Sequence, residues 1–141
     1  MAQRVLVFDP GDSTGWVFKD LKGNIIGGTF YKSFKSLESL FSALHPDVVV
    51  FETFKLYAGA AKHLIHDEFY TVQVIGAIKL LCEQYKVKSI VPQGASVKRY
   101  SGGLDARWKT ILKDGGITEH IKDAYLHLRF YERFGEEKSP K

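Results

Sequence analysis

The first third of the chain alternates short apolar runs with turn-forming residues, a pattern that predicts β-strands. The runs cover residues 3–9, 14–19 and 25–31, and the segments DPGDSTG and LKGN separate them. Because such short connections join antiparallel neighbours, we expect these three strands to form a meander.

Two other hydrophobic patterns follow. Between residues 33 and 45 the apolar residues recur at helical spacing, and Pro46 ends the stripe, which consists of Leu37, Leu40, Phe41 and Leu44. The next segment, DVVVFE, is a continuous apolar run that ends on an acid. Such a run predicts a strand that is buried on both faces, as in a parallel sheet.

The second half of the chain alternates helices and strands. A helix is predicted from about Thr71, a fifth strand over 87–92, two short helical pieces around 94–100 and 105–114, and a last helix over 118–134. The order β-β-β-α-β-α-β-α-α predicts an α/β fold, with a five-stranded mixed sheet of three antiparallel strands and then parallel strands, flanked by helices. We expect residues 1–134 to form one domain and 135–141 to be a disordered tail.

Two of the apolar strands end on a carboxylate, Asp9 in the first and Glu52 in the fourth. Each acid has a plain alternative, because Asp9 precedes Pro-Gly and can simply start a turn, while Glu52 can simply end a strand. If the two strands are parallel neighbours, both acids lie at the carboxyl edge of the sheet, where open α/β sheets build their sites. Two close carboxylates repel each other unless a cation lies between them, and Mg²⁺ prefers such oxygen ligands.

A third acid lies on the last helix, in the segment TEHIKDAYLHL. His120 and Asp123 are three residues apart and therefore share a helix face. Asp123 can simply stabilise the amino terminus of the helix, where the helix dipole favours a negative charge. Alternatively, it can complete a ligand set around two metal ions that promote phosphodiester cleavage.

Charge and composition restrict the class of protein. The net charge is +4 and the chain contains one cysteine, Cys82, which excludes an internal disulfide and suits a reducing compartment. We find neither a signal peptide nor a run of ~18 apolar residues, and so expect no contact with a membrane. Five basic residues concentrate between 98 and 113: Lys98, Arg99, Arg107, Lys109 and Lys113. Two aromatic residues, Tyr100 and Trp108, lie among them. The pattern is typical of nucleic-acid binding, although a solvated helix face would look similar.

The motifs DPG, VVVFE, the VK that precedes a glycine, and HIKDA occur in an order that resembles RuvC-type Holliday junction resolvases of the RNase H-like superfamily, some of which are encoded by phages. The resemblance extends over nearly the whole chain. It implies an RNase H-like fold and a metal-dependent homodimeric endonuclease that nicks opposing strands of a four-way DNA junction. It also implies the cytoplasm of a bacterial cell or of a phage-infected host.

The resemblance implies roles for individual residues. Asp9, Glu52 and Asp123 would bind Mg²⁺, two ions in each active site, and Mn²⁺ could substitute. His120 would ligate metal or place the attacking water. Lys98 and Lys109 would contact phosphate or stabilise charge in the transition state.

One position departs from the family pattern. The family has an aromatic residue three positions after the strand-end glutamate, which contacts unpaired bases, and this chain has Lys55 there. Phe54 and Tyr57 flank it and can either substitute or pack in the core. Two alternative functions stay open for the chain as a whole, an RNase H-like nuclease with another substrate such as an RNA–DNA hybrid, and a DNA-binding module on this fold that does not cleave.

Overall fold

The computed structural model describes residues 2–53, 66–113 and 118–135. Within these residues a six-stranded sheet has the strand order β5-β4-β1-β2-β3-β6. The strands are β1 (Val5–Asp9), β2 (Ser13–Lys19), β3 (Ile25–Tyr31), β4 (Val48–Glu52), β5 (Ser89–Gln93) and β6 (Leu112–Lys113). The helices are α1 (Phe34–Leu44), α2 (His66–Gln84) and α3 (Thr118–Phe134), and two 3-10 helices cover Ala95–Tyr100 and Ala106–Thr110.

The predicted fold class is confirmed. β1, β2 and β3 pair antiparallel, whereas β4 is parallel to β1 and β5 is parallel to β4. The structure adds a sixth, two-residue strand where a helical piece over 105–114 was predicted to end, and it starts α2 at His66, before the predicted Thr71. The predicted disordered tail lies almost wholly outside the described residues, and none of the helices within them is long and apolar enough to cross a bilayer.

The central strands of the sheet point their side chains alternately toward helices on its two faces. In β1, Val5 and Val7 pack into the core beside α3, whereas Leu6 and Phe8 pack beside α1 and α2. Because side chains alternate between the two faces of a strand, Asp9 continues the row that faces α3. The pattern therefore directs the first strand-end acid toward the last helix.

Two glycines on the sheet let α3 lie close to it. A Cβ on Gly15 would lie 2.1 Å from the carbonyl oxygen of His120, and a Cβ on Gly27 would lie 2.9 Å from a methyl carbon of Ile121. Gly15 is also the residue that pairs with Asp9 across the β1–β2 ladder. The first turn of α3 thus lies beside Asp9 because β2 has no side chain at Gly15.

We expect Gly15→Ala to displace the start of α3, since its new methyl group meets backbone atoms that cannot rotate away. Overpacking of this kind costs about 1–3 kcal/mol. Urea denaturation of the variant should show that loss. Gly94→Ala is the matched control, because the nearest atom to a Cβ there is 4.0 Å away; equal stability of the two variants would contradict the close contact.

Candidate functional site

The parallel pairing of β1 with β4 brings two acids to one edge of the sheet. Phe8 and Phe51 are register partners, and the next residue of each strand is Asp9 or Glu52. In β4, Val48 and Val50 pack on the α3 side, so alternation directs Glu52 to the same face as Asp9. The expected meeting of the two strand-end acids at this edge therefore agrees with the structure.

α3 brings two more predicted residues to this edge. His120 Nδ1 lies 3.8 Å from Asp9 Oδ2, and the carboxyl group of Asp123 is within hydrogen-bonding reach of Asp9. The exposed fraction of the side chain rises from 12% for Asp9 and 20% for Glu52 to 35% for Asp123 and 37% for His120. The acid cluster (Asp9, Glu52 and Asp123) thus opens to solvent beside the first two turns of α3.

Burial and crowding keep Asp9 from ionising readily. Its pKa rises from 3.8 to about 7, first because the group is buried and then because Glu52 and Asp123 repel its negative charge. Lys98 acts in the opposite direction by attracting that charge. A cation within the cluster would therefore favour ionised Asp9.

Lys98, which was predicted to contact DNA, lies inside the acid cluster. Its Nζ is 3.2 Å from Glu52 Oε1 and 3.7 Å from Asp123 Oδ2. The neighbouring Val97 is fully buried and fixes the 3-10 helix that carries the lysine. Burial works to lower the pKa of Lys98, but the nearby carboxylates raise it overall, so the side chain supplies a positive charge between two acids.

The sequence analysis missed His127 and Gln93. His127 is fully buried, and its Nε2 lies 2.8 Å from Glu52 Oε1 while its Nδ1 lies 2.7 Å from Gln93 Oε1. Burial works to raise the pKa of Glu52, but the hydrogen bond and charge of His127, together with Lys98, lower it overall. The signal was present in TEHIKDAYLHL, because positions 120, 123 and 127 form one helical stripe at i, i+3 and i+7.

Within residues 2–53, 66–113 and 118–135, no three acidic, histidine or cysteine side chains are arranged around a point where an ion would be held. The donor set still suits a hard divalent cation. It offers carboxylate oxygens, and Asp9 is hard to ionise without a positive charge beside it. Lys98 provides one such charge in the structure.

The other predicted DNA-binding residues are spread over the protein. Arg99 and Lys109 are exposed on the two 3-10 helices, while Lys113 lies in β6 and its side chain is outside the description. Phe54, Lys55 and Tyr57 fall outside the described residues. Their predicted contacts with DNA stay predictions.

Arg107 lies at the opposite end of the sheet. Its guanidinium forms hydrogen bonds of 2.8 and 2.6 Å to the two carboxylate oxygens of Glu132, which also pairs with Lys19 at 2.6 Å. Lys19 is the ladder partner of Val5, at the start of the strand whose far end is Asp9. These ion pairs give Arg107 a structural role, distant from the acid cluster.

We expect His127→Leu to lower the free energy of unfolding by about 1–3 kcal/mol, because it leaves buried groups of Glu52 and Gln93 without their hydrogen-bond partner. Chemical denaturation measures this loss. His127→Gln keeps an N–H donor of similar reach and should retain more of the stability. A leucine variant as stable as the native protein would show that the two contacts stabilise nothing.

No protein-family model matches the sequence, and no curated protein matches it significantly. Comparison with solved structures does find similar chains. Thermus thermophilus RuvC in complex with a Holliday junction substrate is 16% identical with a TM-score of 0.67, and the match covers 97% of this chain and 99% of that one. A second structure of T. thermophilus RuvC has the same identity and coverage with a TM-score of 0.62.

The yeast mitochondrial Holliday junction resolvase Ydc2 is 12% identical with a TM-score of 0.52, and the match covers 94% of this chain and 78% of that one. At such low identity the likeness concerns the fold. The chain therefore has the fold of RuvC-type, RNase H-like resolvases.

Proposed function

We propose that the protein is a metal-dependent, structure-selective endodeoxyribonuclease that resolves four-way (Holliday) junctions and other branched DNA by paired nicks. The observation that carries the proposal is the acid cluster, in which Asp9, Glu52 and Asp123 meet at one sheet edge with Lys98 between two of them. The fold shared with RuvC, one of whose structures holds a Holliday junction substrate, supports the same function.

Asp9, Glu52 and Asp123 would hold Mg²⁺, two ions in our proposal with Mn²⁺ as a substitute, and His120 would ligate metal or place water. Bound metal supplies an activated water and stabilises the leaving oxygen of a phosphodiester. His127 orients the Glu52 carboxylate through its 2.8 Å contact. Lys98 neutralises part of the cluster's charge and would contact the scissile phosphate, while exposed Arg99 and Lys109 would contact the DNA backbone.

Paired nicks require two active sites, so we propose a homodimer that acts in the cytoplasm of a bacterium or of a phage-infected host. One exposed face of α2 carries Val72, Gly76 and Leu80, which we call the α2 stripe. We propose that a second copy of the chain packs against this stripe. Val72 and Leu80 are 49% and 58% exposed, and a Cβ on Gly76 would have no neighbour within 4 Å. Glycine inside a helix costs about 0.5–1 kcal/mol relative to alanine, and nothing in the described part of the chain requires it there.

A groove beside the α2 stripe extends the apolar surface. The groove lies between α2 and β5, has a volume of about 790 Å³ and is lined in part by Val72, Ile75 and Ile90. Because β5 is at the edge of the sheet, no further strand of the described residues lies beyond this surface. A close helix–helix approach at Gly76 would cover both features at once.

We expect Leu80→Glu to convert the dimer into a monomer and to abolish paired nicking, because it introduces a charge into the apolar contact. Sedimentation velocity gives the mass, and a cruciform plasmid distinguishes paired from single nicks. Leu21→Glu is the matched control, since Leu21 is 51% exposed in the β2–β3 turn. A monomeric native protein that still resolves junctions would refute the dimer.

We expect Asp9→Asn to abolish cleavage while the variant still binds a junction as tightly as the native protein or more tightly. The variant loses a metal ligand and a negative charge that repels phosphate. Gel assays with Mg²⁺ or Mn²⁺ should use a synthetic four-way junction, a linear duplex and an RNA–DNA hybrid. Preference of the native protein for the hybrid would support the alternative nuclease, and binding without cleavage would support the non-cleaving module.

Chemical denaturation of the Asp9→Asn variant tests whether it is folded. Since the pKa of Asp9 is about 7 in the folded protein and 3.8 for a free side chain, the metal-free fold loses stability as the pH rises from about 4 to 7, and the full loss is present above pH 7. The variant should therefore gain stability at pH 8, on the order of 2–4 kcal/mol, and gain little at pH 4. Near-native cleavage by this variant would contradict the assignment of Asp9.

A further inference from the structure

A cluster of aromatic side chains surrounds a lysine at the start of α1. The aromatic–lysine cluster consists of Tyr31, Lys32, Phe34 and Tyr70. The rings of Phe34 and Tyr70 have centroids 5.3 Å apart, and Lys32 Nζ lies 5.6 Å from the Tyr31 ring and 5.8 Å from the Tyr70 ring. Tyr31 is 66% exposed and Phe34 is 43% exposed, so two large rings of this cluster offer surface to solvent.

The hydrophobic core does not account for these two rings. On α1 the fully buried residues are Leu37 and Phe41, both farther along the helix than Phe34. Tyr31 is the last residue of β3 and extends beyond the core of the sheet. Single exposed apolar residues are common on protein surfaces. Here Lys32 lies near the rings of Tyr31 and Tyr70, and Tyr70 packs against Phe34, so a chain of contacts links the two exposed rings.

The backbone at Lys32 is held in an unfavourable conformation. Its φ is +41°, in the left-handed region that residues with a Cβ rarely adopt. Its N–H donates to the carbonyl oxygen of Asp12 at 2.8 Å, and its Nζ lies 3.9 Å from the Asp12 carboxylate. The backbone of Lys32 is thus held in place at the end of β3, and its partly exposed side chain lies near both tyrosine rings.

The sheet places this cluster at the same end as the acid cluster. Asp9 pairs with Gly15, Gly15 pairs with Thr29, and Tyr31 lies two residues beyond Thr29. Two strand spacings are about 10 Å and two residues of strand are about 7 Å, so the Cα atoms of Asp9 and Tyr31 are roughly 12 Å apart. A DNA strand bound at the acid cluster could therefore place a nearby base against Tyr31.

We propose that the aromatic–lysine cluster is a stacking site for an unpaired DNA base close to the cleaved phosphate. Bases stack on exposed aromatic faces without regard to sequence, and a lysine beside the rings suits the adjoining phosphate. This inference rests on the proposed junction-cleaving function and deepens it, since it names the part of the substrate that this surface binds: unpaired nucleotides at the branch, and not the paired arms.

The test uses 2-aminopurine, a fluorescent base that is quenched when it stacks. It is placed near the branch of a four-way junction and, separately, in a single-stranded oligonucleotide. Both are titrated with the protein in an Asp9→Asn background that prevents cleavage. We expect quenching that is retained by Tyr31→Phe and lost by the double variant Tyr31→Ala, Phe34→Ala, with binding of the single strand about tenfold weaker.

Two comparisons separate the stacking site from the proposed function. Leu21→Ala, another exposed apolar residue, should change neither quenching nor affinity. Unchanged quenching in the double variant, or no quenching by the parent protein on either DNA, would overturn the stacking site. Failure of the protein with native Asp9 to cut any junction would instead overturn the proposed function, and the single-stranded titration would still decide the stacking site.

Discussion

The topology of the sheet and α3 brings three carboxylates together, and the structure depends on how the electrostatic repulsion among them is offset. Parallel pairing of β1 with β4 places Asp9 and Glu52 side by side, and α3 adds Asp123. Such a group is stable only with positive charge or protons among its members. The protein supplies both, since Lys98 lies between Glu52 and Asp123 while the pKa of Asp9 rises to about 7.

This constraint explains features that look unrelated in the sequence. Gly15 gives the first turn of α3 room beside Asp9, and His127, one helical turn after Asp123, reaches back to Glu52 at 2.8 Å. Gln93 at the end of β5 holds the other nitrogen of that histidine. Four strands and one helix thus determine where the oxygen atoms of the acid cluster lie.

The sequence predicted well those parts of the fold that follow from local periodicity. The five strands, α1 and α3 were expected close to where they occur, because apolar spacing reports directly which face is buried. The strand-end acids were also predictable, since they end strongly apolar runs. By contrast, β6 has two residues and no period, and it exists because it pairs with β3. The contact of His127 with Glu52 and the pairing of Arg107 with Glu132 join residues 75 and 25 positions apart, so each depends on the finished fold.

The ion pairs of Arg107 have a mechanical consequence for α3. The carboxyl-terminal half of this helix is tied down by Glu132, which bonds both Arg107 and Lys19, and by Arg129, which lies 3.4 Å from Asp105. Its amino-terminal end meets the sheet in another way, because His120 packs against Gly15 and the side chains of His120 and Asp123 both approach Asp9. The helix is therefore held against the sheet at both ends, by ion pairs at its carboxyl end and by close packing on a glycine at its amino end. A change of a single residue at either end would shift α3 relative to the strand-end acids and so alter the distances within the acid cluster.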